Sequence, residues 1–181
     1  FQRSYLQAEL YAPVTGYYSF LFGGSGLERY YSSQLAGTSD VQFLQNIVDL
    51  ATGKRPQGAS LETTLDARAQ QAAANALGDR PGAVVALDYS TGAVLAMVTS
   101  PTYDPNRLAS HDIAATQEYW TALNDDPAKP LVNRAAREVY APGSTFKLVV
   151  SAAALEAGMT PDTVVSSPAS PRLPNSPFEL T

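Results

Sequence analysis

Two nearly continuous apolar segments give the clearest pattern along this chain. Residues 83–88 (AVVALD) and 93–99 (AVLAMVT) flank the short segment Tyr89-Ser90-Thr91-Gly92. Two apolar runs joined by a short turn that contains glycine are typical of a β-hairpin. Because polar and apolar residues do not alternate within either run, we expect helices to bury both faces of this sheet.

The first third of the chain has a different pattern. Residues 1–37 are rich in aromatic residues and glycine, which predicts short strands and loops that lead into a short helix near 27–35. Apolar residues with helical spacing then predict a helix over 40–51, with Asp40 as its N-cap. The polar, Gly- and Pro-containing residues 52–60 follow and predict a subdomain boundary.

The remaining elements are predicted from caps and spacing. Residues 60–65 are expected to form a strand, after which Asp66 caps a helix that stops at Gly78. Further helices are expected near 116–123 and over 144–157. The last of these is apolar on nearly every side, as a buried central helix would be.

The composition excludes several classes of function. With 45% hydrophobic and 16% charged residues, the chain has enough apolar material for a core. A net charge of −5 without any basic run argues against nucleic-acid binding. The lack of cysteine excludes a thiolate nucleophile, and the single histidine, His111, argues against a His-based metal site. No apolar run is long enough to span a membrane, and a start at Phe1 rather than Met predicts a piece of a longer protein.

A Ser-x-x-Lys pair carries the candidate chemistry, in the segment Ala141-Pro142-Gly143-Ser144-Thr145-Phe146-Lys147. A serine hydroxyl needs a nearby base to become a good nucleophile. Residues three apart share a face of a helix, so the Lys147 amine can lie beside the Ser144 hydroxyl. Burial and the positive end of a helix dipole both favour the neutral amine that such a base requires.

The pair alone leaves two interpretations open. In one, Ser144 is the nucleophile and its free backbone N–H at the helix start donates to an oxyanion. In the other, Ser144 is an ordinary residue of the first turn and Lys147 is a solvated charge. A lysine in the first turn opposes the helix dipole, which argues mildly against the second interpretation.

Four stretches of the chain resemble a family, the monofunctional class B penicillin-binding proteins. They are 23–37 (GGSGLERYYSSQLAG), similar to the G-x-x-G-L-E-x-x-Y-x-x-x-L-x-G signature of the N-terminal non-catalytic domain; 64–77 (TLDARAQQAAANAL), similar to the first transpeptidase helix; 83–106, similar to the first hairpin; and 133–147 (NRAAREVYAPGSTFK), similar to the active-site motif. They occur in the family's order. Ser-x-x-Lys is itself a penicillin-binding-protein motif.

The resemblance implies the fold and the domains. The fold would be α/β (α+β), of the penicillin-binding protein/β-lactamase-like transpeptidase type, and this chain would hold its N-terminal portion. Residues 1–58 would be part of an N-terminal non-catalytic domain of the pedestal or dimerisation type. Residues 59–181 would be the N-terminal part of the transpeptidase domain.

The resemblance also implies an activity. Ser144 would attack the penultimate D-alanine carbonyl of a peptidoglycan stem peptide, with Lys147 as the base, and an acceptor amine would then form the cross-link. β-Lactams would acylate Ser144 covalently as substrate mimics. No cofactor and no metal are implied. The expected location is the outer side of the bacterial cell membrane, reached through an N-terminal anchor that would precede Phe1, and proteins of cell division or elongation are further expected partners.

The sequence departs from the family in one respect. The family's Ser-x-Asn and Lys-Thr/Ser-Gly motifs do not occur in this sequence, so we expect this stretch alone to be inactive.

The alternative functions are a class D-like serine β-lactamase, which would lack the signature of residues 23–37, and a non-catalytic β-lactam sensor domain.

A few other residues have a structural expectation. Glu28 is expected to anchor a loop to a helix. Arg134 and Glu138, four residues apart, are expected to form a local ion pair ahead of the active-site motif. Asp104 and Asn106 predict an Asx-type turn.

Overall fold

The computed structural model describes residues 2–53, 57–167, 169–170, 175 and 177. Packing divides the chain into two compact units, Phe1–Glu138 and Val139–Thr181. Residues 54–56, in the middle of the predicted boundary, lie outside the described residues.

The first unit contains short helices around two antiparallel hairpins. Its helices are α1 (Ala8–Thr15), α2 (Gly26–Tyr30), α3 (Ser32–Leu35), α4 (Asp40–Ala51), α5 (Ala67–Leu77), α6 (Pro105–Leu108), α7 (Ile113–Asp125) and α8 (Arg134–Arg137). Its strands are β1 (Tyr18–Ser19), β2 (Gly23–Gly24), β3 (Gly82–Leu87) and β4 (Val94–Ser100). The second unit contains a 3-10 turn (Gly143–Thr145) followed by α9 (Phe146–Glu156).

The predicted hairpin is confirmed. Strands β3 and β4 pair antiparallel, with Val84 opposite Val98 and a register shift after Ala86. The connecting turn closes through a hydrogen bond from Gly92 N to Asp88 O of 2.8 Å. Gly92 has φ 75°, a left-handed conformation that glycine adopts without steric cost.

The helix expected after Asp66 is confirmed as α5. The Asp66 carboxylate accepts hydrogen bonds from the backbone N–H groups of Arg68 and Ala69, as an N-cap does. The helix stops at Gly78, where φ is 56°. Its inner face packs on the sheet in a core of buried residues: Ala73, Leu77, Ala96 and Val98.

The prediction that both faces of the hairpin are buried is wrong for β3. Val84 and Ala86 pack toward α5, but Val85 is 43% exposed and Leu87 is 58% exposed. Because side chains alternate across a strand, one layer of helix covers only half of these apolar positions. On the other face, Met97 lies opposite Val85 in the register and its sulfur is 3.4 Å from Asn133 Nδ2.

The N-terminal segment differs from its prediction in one element. Helix α1 lies where strands and loops were expected, and it was missed because it has eight residues, a single fully buried one and an internal proline, Pro13. The short helix predicted near 27–35 is present as α2 and α3. Helix α4 has the predicted bounds, but Ser39 rather than Asp40 is its N-cap residue.

The strand predicted over 60–65 is absent, and these residues have no regular secondary structure. Two hydrogen bonds still attach their end to the start of β4, from Thr64 Oγ1 to Val94 O and from Asp66 N to Leu95 O. After Asp66 the chain turns into α5, and further along β4 the backbone of Met97 bonds to the side chain of Gln70.

A second core, rich in aromatic residues, joins the N-terminal segment to α6 and α7. Tyr17 makes edge-to-face contacts with Tyr103 and Trp120, and Phe22 stacks on Trp120 at 4.4 Å between ring centroids. Helix α7 confirms the helix expected near 116–123. Tyr17 and Phe22 thus supply core packing, whereas Phe20 and Tyr30 are 81% and 78% exposed.

The described residues contain neither a candidate membrane-spanning helix nor a candidate metal-binding group of side chains. None of the helices within them is both long and apolar enough to cross a bilayer. In the same part of the chain, no group of three or more histidine, aspartate and glutamate side chains is placed to hold a metal ion.

Candidate active site

Ser144 lies in the 3-10 turn that leads into α9. Pro142 precedes the turn with φ −65°, and Gly143 adopts φ 54°, in the left-handed region that favours glycine. The backbone of Thr145 donates to Pro142 O at 3.1 Å, and its hydroxyl donates to the same oxygen. The Pro-Gly pair therefore starts the helix at the position that the sequence predicts, with Ser144 in the turn.

Lys147 is the second residue of α9, one turn after Ser144. Both side chains are exposed, and no hydrogen bond between them occurs in the described part of the chain. The helix ends at Glu156, one residue before the predicted end, with Ala157 as its C-cap, and Gly158 follows with φ 88°. The local backbone places Ser144 and Lys147 on adjacent turns but leaves both side chains in solvent.

Burial of α9 was expected, and that expectation is wrong for the described residues of its unit. Leu148 is 77% exposed, and Phe146, Val149, Val150 and Leu155 are also exposed. The reason is that no other described helix or strand of the second unit lies over α9. A helix that is apolar on all sides normally has such a cover, so the dry surroundings that favour a neutral lysine are not formed within this unit.

Arg134 fixes the segment that precedes the Ser-x-x-Lys turn in the sequence. Its guanidinium donates to Lys129 O at 3.3 Å and also to Ala128 O, and its Nε lies 3.6 Å from Glu138 Oε1. Its backbone N–H donates to Thr99 Oγ1 at 3.4 Å. The predicted ion pair with Glu138 is confirmed, and the carbonyl bonds hold the loop before α8.

Asn133, the residue before α8, has an unexpected partner. Its Nδ2 donates to Pro13 O at 2.8 Å, across 120 positions of sequence. Its Oδ1 is buried and accepts no hydrogen bond from the described residues. The first residue of the motif over 133–147 is therefore attached to helix α1.

Glu28 has the anchoring role that the sequence predicts. Its Oε1 accepts a hydrogen bond from the Tyr5 hydroxyl at 3.3 Å and lies 3.3 Å from Arg3 Nε. The Tyr5 hydroxyl is also the acceptor for Tyr18 N at 2.8 Å. Burial, followed by the negative charge of Glu28, raises the pKa of the Tyr5 phenol well above its usual value.

The other residues weighed from the sequence have modest roles. Asp104 Oδ1 accepts from Asn106 N at 2.9 Å, so the predicted Asx-type turn is confirmed and starts α6. His111 is exposed at the edge of a cleft of about 310 Å³ that Arg3 and Glu28 also line.

Sequence analysis missed Gln70, a buried polar side chain of the first unit. It is completely buried, and it donates to Leu10 O and Met97 O at 2.9 Å and accepts from Met97 N at 2.8 Å. A signal was available, because Gln70, Ala73 and Leu77 share the buried face of α5. A polar residue on such a face needs hydrogen-bond partners.

The chain matches two protein families over most of its length. Residues 82–179 match the family described as "Penicillin binding protein transpeptidase domain". Residues 1–61 match the family described as "Penicillin binding protein A dimerisation domain".

Curated relatives of the chain are named for the same chemistry. It is 46% identical over 183 residues to peptidoglycan D,D-transpeptidase PbpA of Mycolicibacterium smegmatis, a match that covers 98% of this chain and 37% of the relative. It is 38% identical over 161 residues to peptidoglycan D,D-transpeptidase MrdA of Escherichia coli strain K12, covering 85% of this chain and 25% of the relative. The chain thus spans well under half the length of these relatives.

Solved structures confirm the fold that the resemblance predicts. The penicillin G acyl-enzyme complex of penicillin-binding protein A from M. tuberculosis superposes with a TM-score of 0.94 at 44% identity, covering 99% of this chain and 42% of that one. Pseudomonas aeruginosa PBP2 in complex with WCK 5153 superposes with a TM-score of 0.77 at 34% identity, covering 99% of this chain and 41% of that one.

Proposed function

The chain belongs to the class B penicillin-binding protein D,D-transpeptidases, and from that premise we propose that it supplies the acylated serine of a peptidoglycan cross-linking enzyme. The observation that carries this proposal is the Ser-x-x-Lys pair at the junction of a Pro-Gly turn and a helix. The acyl-enzyme structures of a relative that is 44% identical support serine acylation as its chemistry.

In the proposed reaction, Ser144 Oγ attacks the carbonyl carbon of the penultimate D-alanine of a stem peptide. Lys147 takes the hydroxyl proton, and the C–N bond to the terminal D-alanine breaks as that proton passes to the leaving amine. An amine of a neighbouring stem then attacks the ester, forms the cross-linking amide and restores the Ser144 hydroxyl. β-Lactams acylate the same oxygen.

We propose the domain division with residues 1–58 in the N-terminal non-catalytic domain and residues 59–181 in the transpeptidase domain. The two family matches, over 1–61 and 82–179, support this division. The substrate would be peptidoglycan, as the names of the relatives suggest. We expect the enzyme to meet its stem peptides outside the cytoplasmic membrane. Proteins of cell division or elongation would bind beside the N-terminal domain.

A labelling experiment on the complete protein tests this function. After incubation with a fluorescent penicillin, a single adduct should map to the tryptic peptide 138–147, which contains Ser144 and ends at Lys147. The same protein should release D-alanine and join two D-Ala-D-Ala stem peptides.

Three results would contradict the proposal. Rapid hydrolysis of the β-lactam would favour the serine β-lactamase alternative, against which the names of the relatives already argue. Acylation without any cross-linking would indicate a β-lactam sensor. An adduct on another peptide would exclude Ser144 as the nucleophile.

A further inference from the structure

Helix α1 and the residue Tyr5 before it receive side-chain hydrogen bonds from distant parts of the first unit. In each case the acceptor is a backbone carbonyl oxygen in residues 5–13, and the donor lies between residues 70 and 133. The bonds are Asn106 Nδ2 to Tyr5 O (3.0 Å), Thr102 Oγ1 to Glu9 O (3.0 Å), Gln70 Nε2 to Leu10 O (2.9 Å), Tyr103 OH to Ala12 O (3.4 Å) and Asn133 Nδ2 to Pro13 O (2.8 Å). We call these five bonds the α1 seam.

Pro13 explains why one of these carbonyls needs an outside donor. In an α-helix, the N–H of residue 13 bonds to the carbonyl of residue 9, but proline has no N–H. Glu9 O therefore lacks its helical donor, and the Thr102 hydroxyl supplies one from 93 positions away. The Thr102 hydroxyl thus replaces the N–H donor that Pro13 lacks.

Gln70 connects the seam to the sheet. Its amide bonds to both the N–H and the C=O of Met97, which is what a neighbouring strand would do for β4. The same NH₂ group donates to Leu10 O of α1. One fully buried side chain thus occupies the edge of β4 and holds the helix beside it.

Asn106 makes the same kind of paired contact with Tyr5, the residue before α1 in the seam. Its Oδ1 accepts from Tyr5 N at 2.8 Å while its Nδ2 donates to Tyr5 O. Both amide side chains therefore bond the two backbone polar groups of one residue. These pairs fix the position of α1 in a way that apolar packing, which is non-directional, does not.

We propose that the α1 seam joins the N-terminal region to the transpeptidase hairpin as one cooperative unit, with Gln70 as its central residue. The proposal rests on the domain division proposed above, since α1 lies within residues 1–58 and the donors lie beyond 59. A linker between two independently opening domains would give α1 and β4 separate stabilities. The seam instead makes their backbone amides open together.

The first test compares two identical substitutions at adjacent positions of α5 in the complete protein. Gln70→Glu keeps the shape but replaces the donor NH₂ with a carboxylate oxygen that faces Leu10 O and Met97 O. Native-state hydrogen exchange should become at least about 10-fold faster in both α1 and β4. Gln71→Glu, on the exposed side of the helix, should change exchange by less than about 2-fold.

The second test is a double-mutant cycle that remains informative if Gln70→Glu does not fold. Thr102→Val removes the hydroxyl and should speed exchange in both α1 and β4 by about 2- to 10-fold, and Thr102→Ser should restore it. In a Pro13→Ala background the same change should have less than a 2-fold effect, because residue 13 now donates to Glu9 O. Thr121→Val is the matched control, because the Thr121 hydroxyl donates to a carbonyl within α7. It should leave hydrogen exchange in α1 unchanged.

Two results would contradict the proposal that the α1 seam makes α1 and β4 open together. One is unchanged exchange in α1 for folded Thr102→Val and Gln70→Glu proteins. The other is faster exchange in α1 with β4 unaffected. Penicillin labelling of Ser144 is measured in parallel, so that failure of the seam with labelling intact is distinct from failure of the proposed function.

Discussion

Arg134 Nε lies 3.6 Å from Glu138 Oε1, one helical turn ahead of it. The two side chains differ in burial, since Arg134 is 7% exposed while the Glu138 side chain is about one-third exposed. An exposed ion pair contributes little, but a buried guanidinium that also donates to two carbonyls is costly to remove. The carbonyl bonds to Ala128 and Lys129 should therefore dominate its contribution to stability.

We predict that Arg134→Ala lowers the free energy of unfolding by about 3 kcal/mol, because it removes charged hydrogen bonds and leaves a cavity. Arg134→Lys should recover part of this loss, since one ammonium cannot reproduce the guanidinium fork. Urea unfolding measures both. Arg137→Ala, at an exposed position of the same helix, is the control and should stay within about 0.5 kcal/mol. Equal effects at 134 and 137 would contradict this account.

The proposed nucleophile makes a sharp prediction for the complete protein. Ser144→Ala should abolish labelling by a fluorescent penicillin, because it removes the hydroxyl that we propose takes the acyl group. Ser151→Ala, seven residues later on the same helix, should label normally. In-gel fluorescence with mass-spectrometric mapping measures both, and labelling that survives Ser144→Ala would falsify the assignment.

The proposed base has its own signature. Lys147→Ala should slow acylation by about 10²- to 10⁴-fold without abolishing it, as expected for loss of a general base. Lys147→Arg should not rescue the rate, since a guanidinium stays protonated and cannot accept the serine proton. The measurement is the second-order rate constant of acylation. A rate for Lys147→Arg close to the unsubstituted value would show that only the positive charge matters.

The Tyr5–Glu28 contact predicts an alkaline loss of stability. Burial and the Glu28 charge raise the folded-state pKa of the Tyr5 phenol above its usual value of 10. Its contribution is therefore fully present below pH 10 and is lost as the pH rises above that value. Tyr5→Phe should flatten this part of the stability–pH curve, measured by urea midpoints. Tyr89→Phe, at a fully exposed position, should leave the curve unchanged.

The Asp66 cap predicts the opposite slope in acid. Hydrogen bonds from the backbone N–H groups of Ala69 and Arg68 hold the pKa of the Asp66 carboxyl below its ordinary value of 3.8. The cap is therefore intact above pH 3.8, and its contribution is lost as the pH falls through the lower, folded-state pKa. Asp66→Ala should lower Tm at pH 7 by about 2–4 °C. The difference in Tm from the unsubstituted protein should shrink in acid, and a constant difference would contradict this explanation.

The sequence by itself determined the elements that short-range signals encode. The β3–β4 hairpin follows from two apolar runs around a glycine turn, and α5 follows from the Asp66 cap and the Gly78 stop. The turn at Ser144 follows from Pro142-Gly143. All of these signals act within a few residues of the backbone that they shape, which is why periodicity and caps suffice.

Tertiary structure alone decided the features that depend on distant partners. Helix α1 tolerates Pro13 because Thr102 donates to the carbonyl that the proline leaves open, and the backbone of Met97 in β4 bonds to the side chain of Gln70 rather than to another strand. Local propensity cannot anticipate a donor that lies 27 or 93 positions away. The exposure of Val85 has the same origin: an apolar run indicates that a segment can be buried, but only packing determines which of its faces is covered.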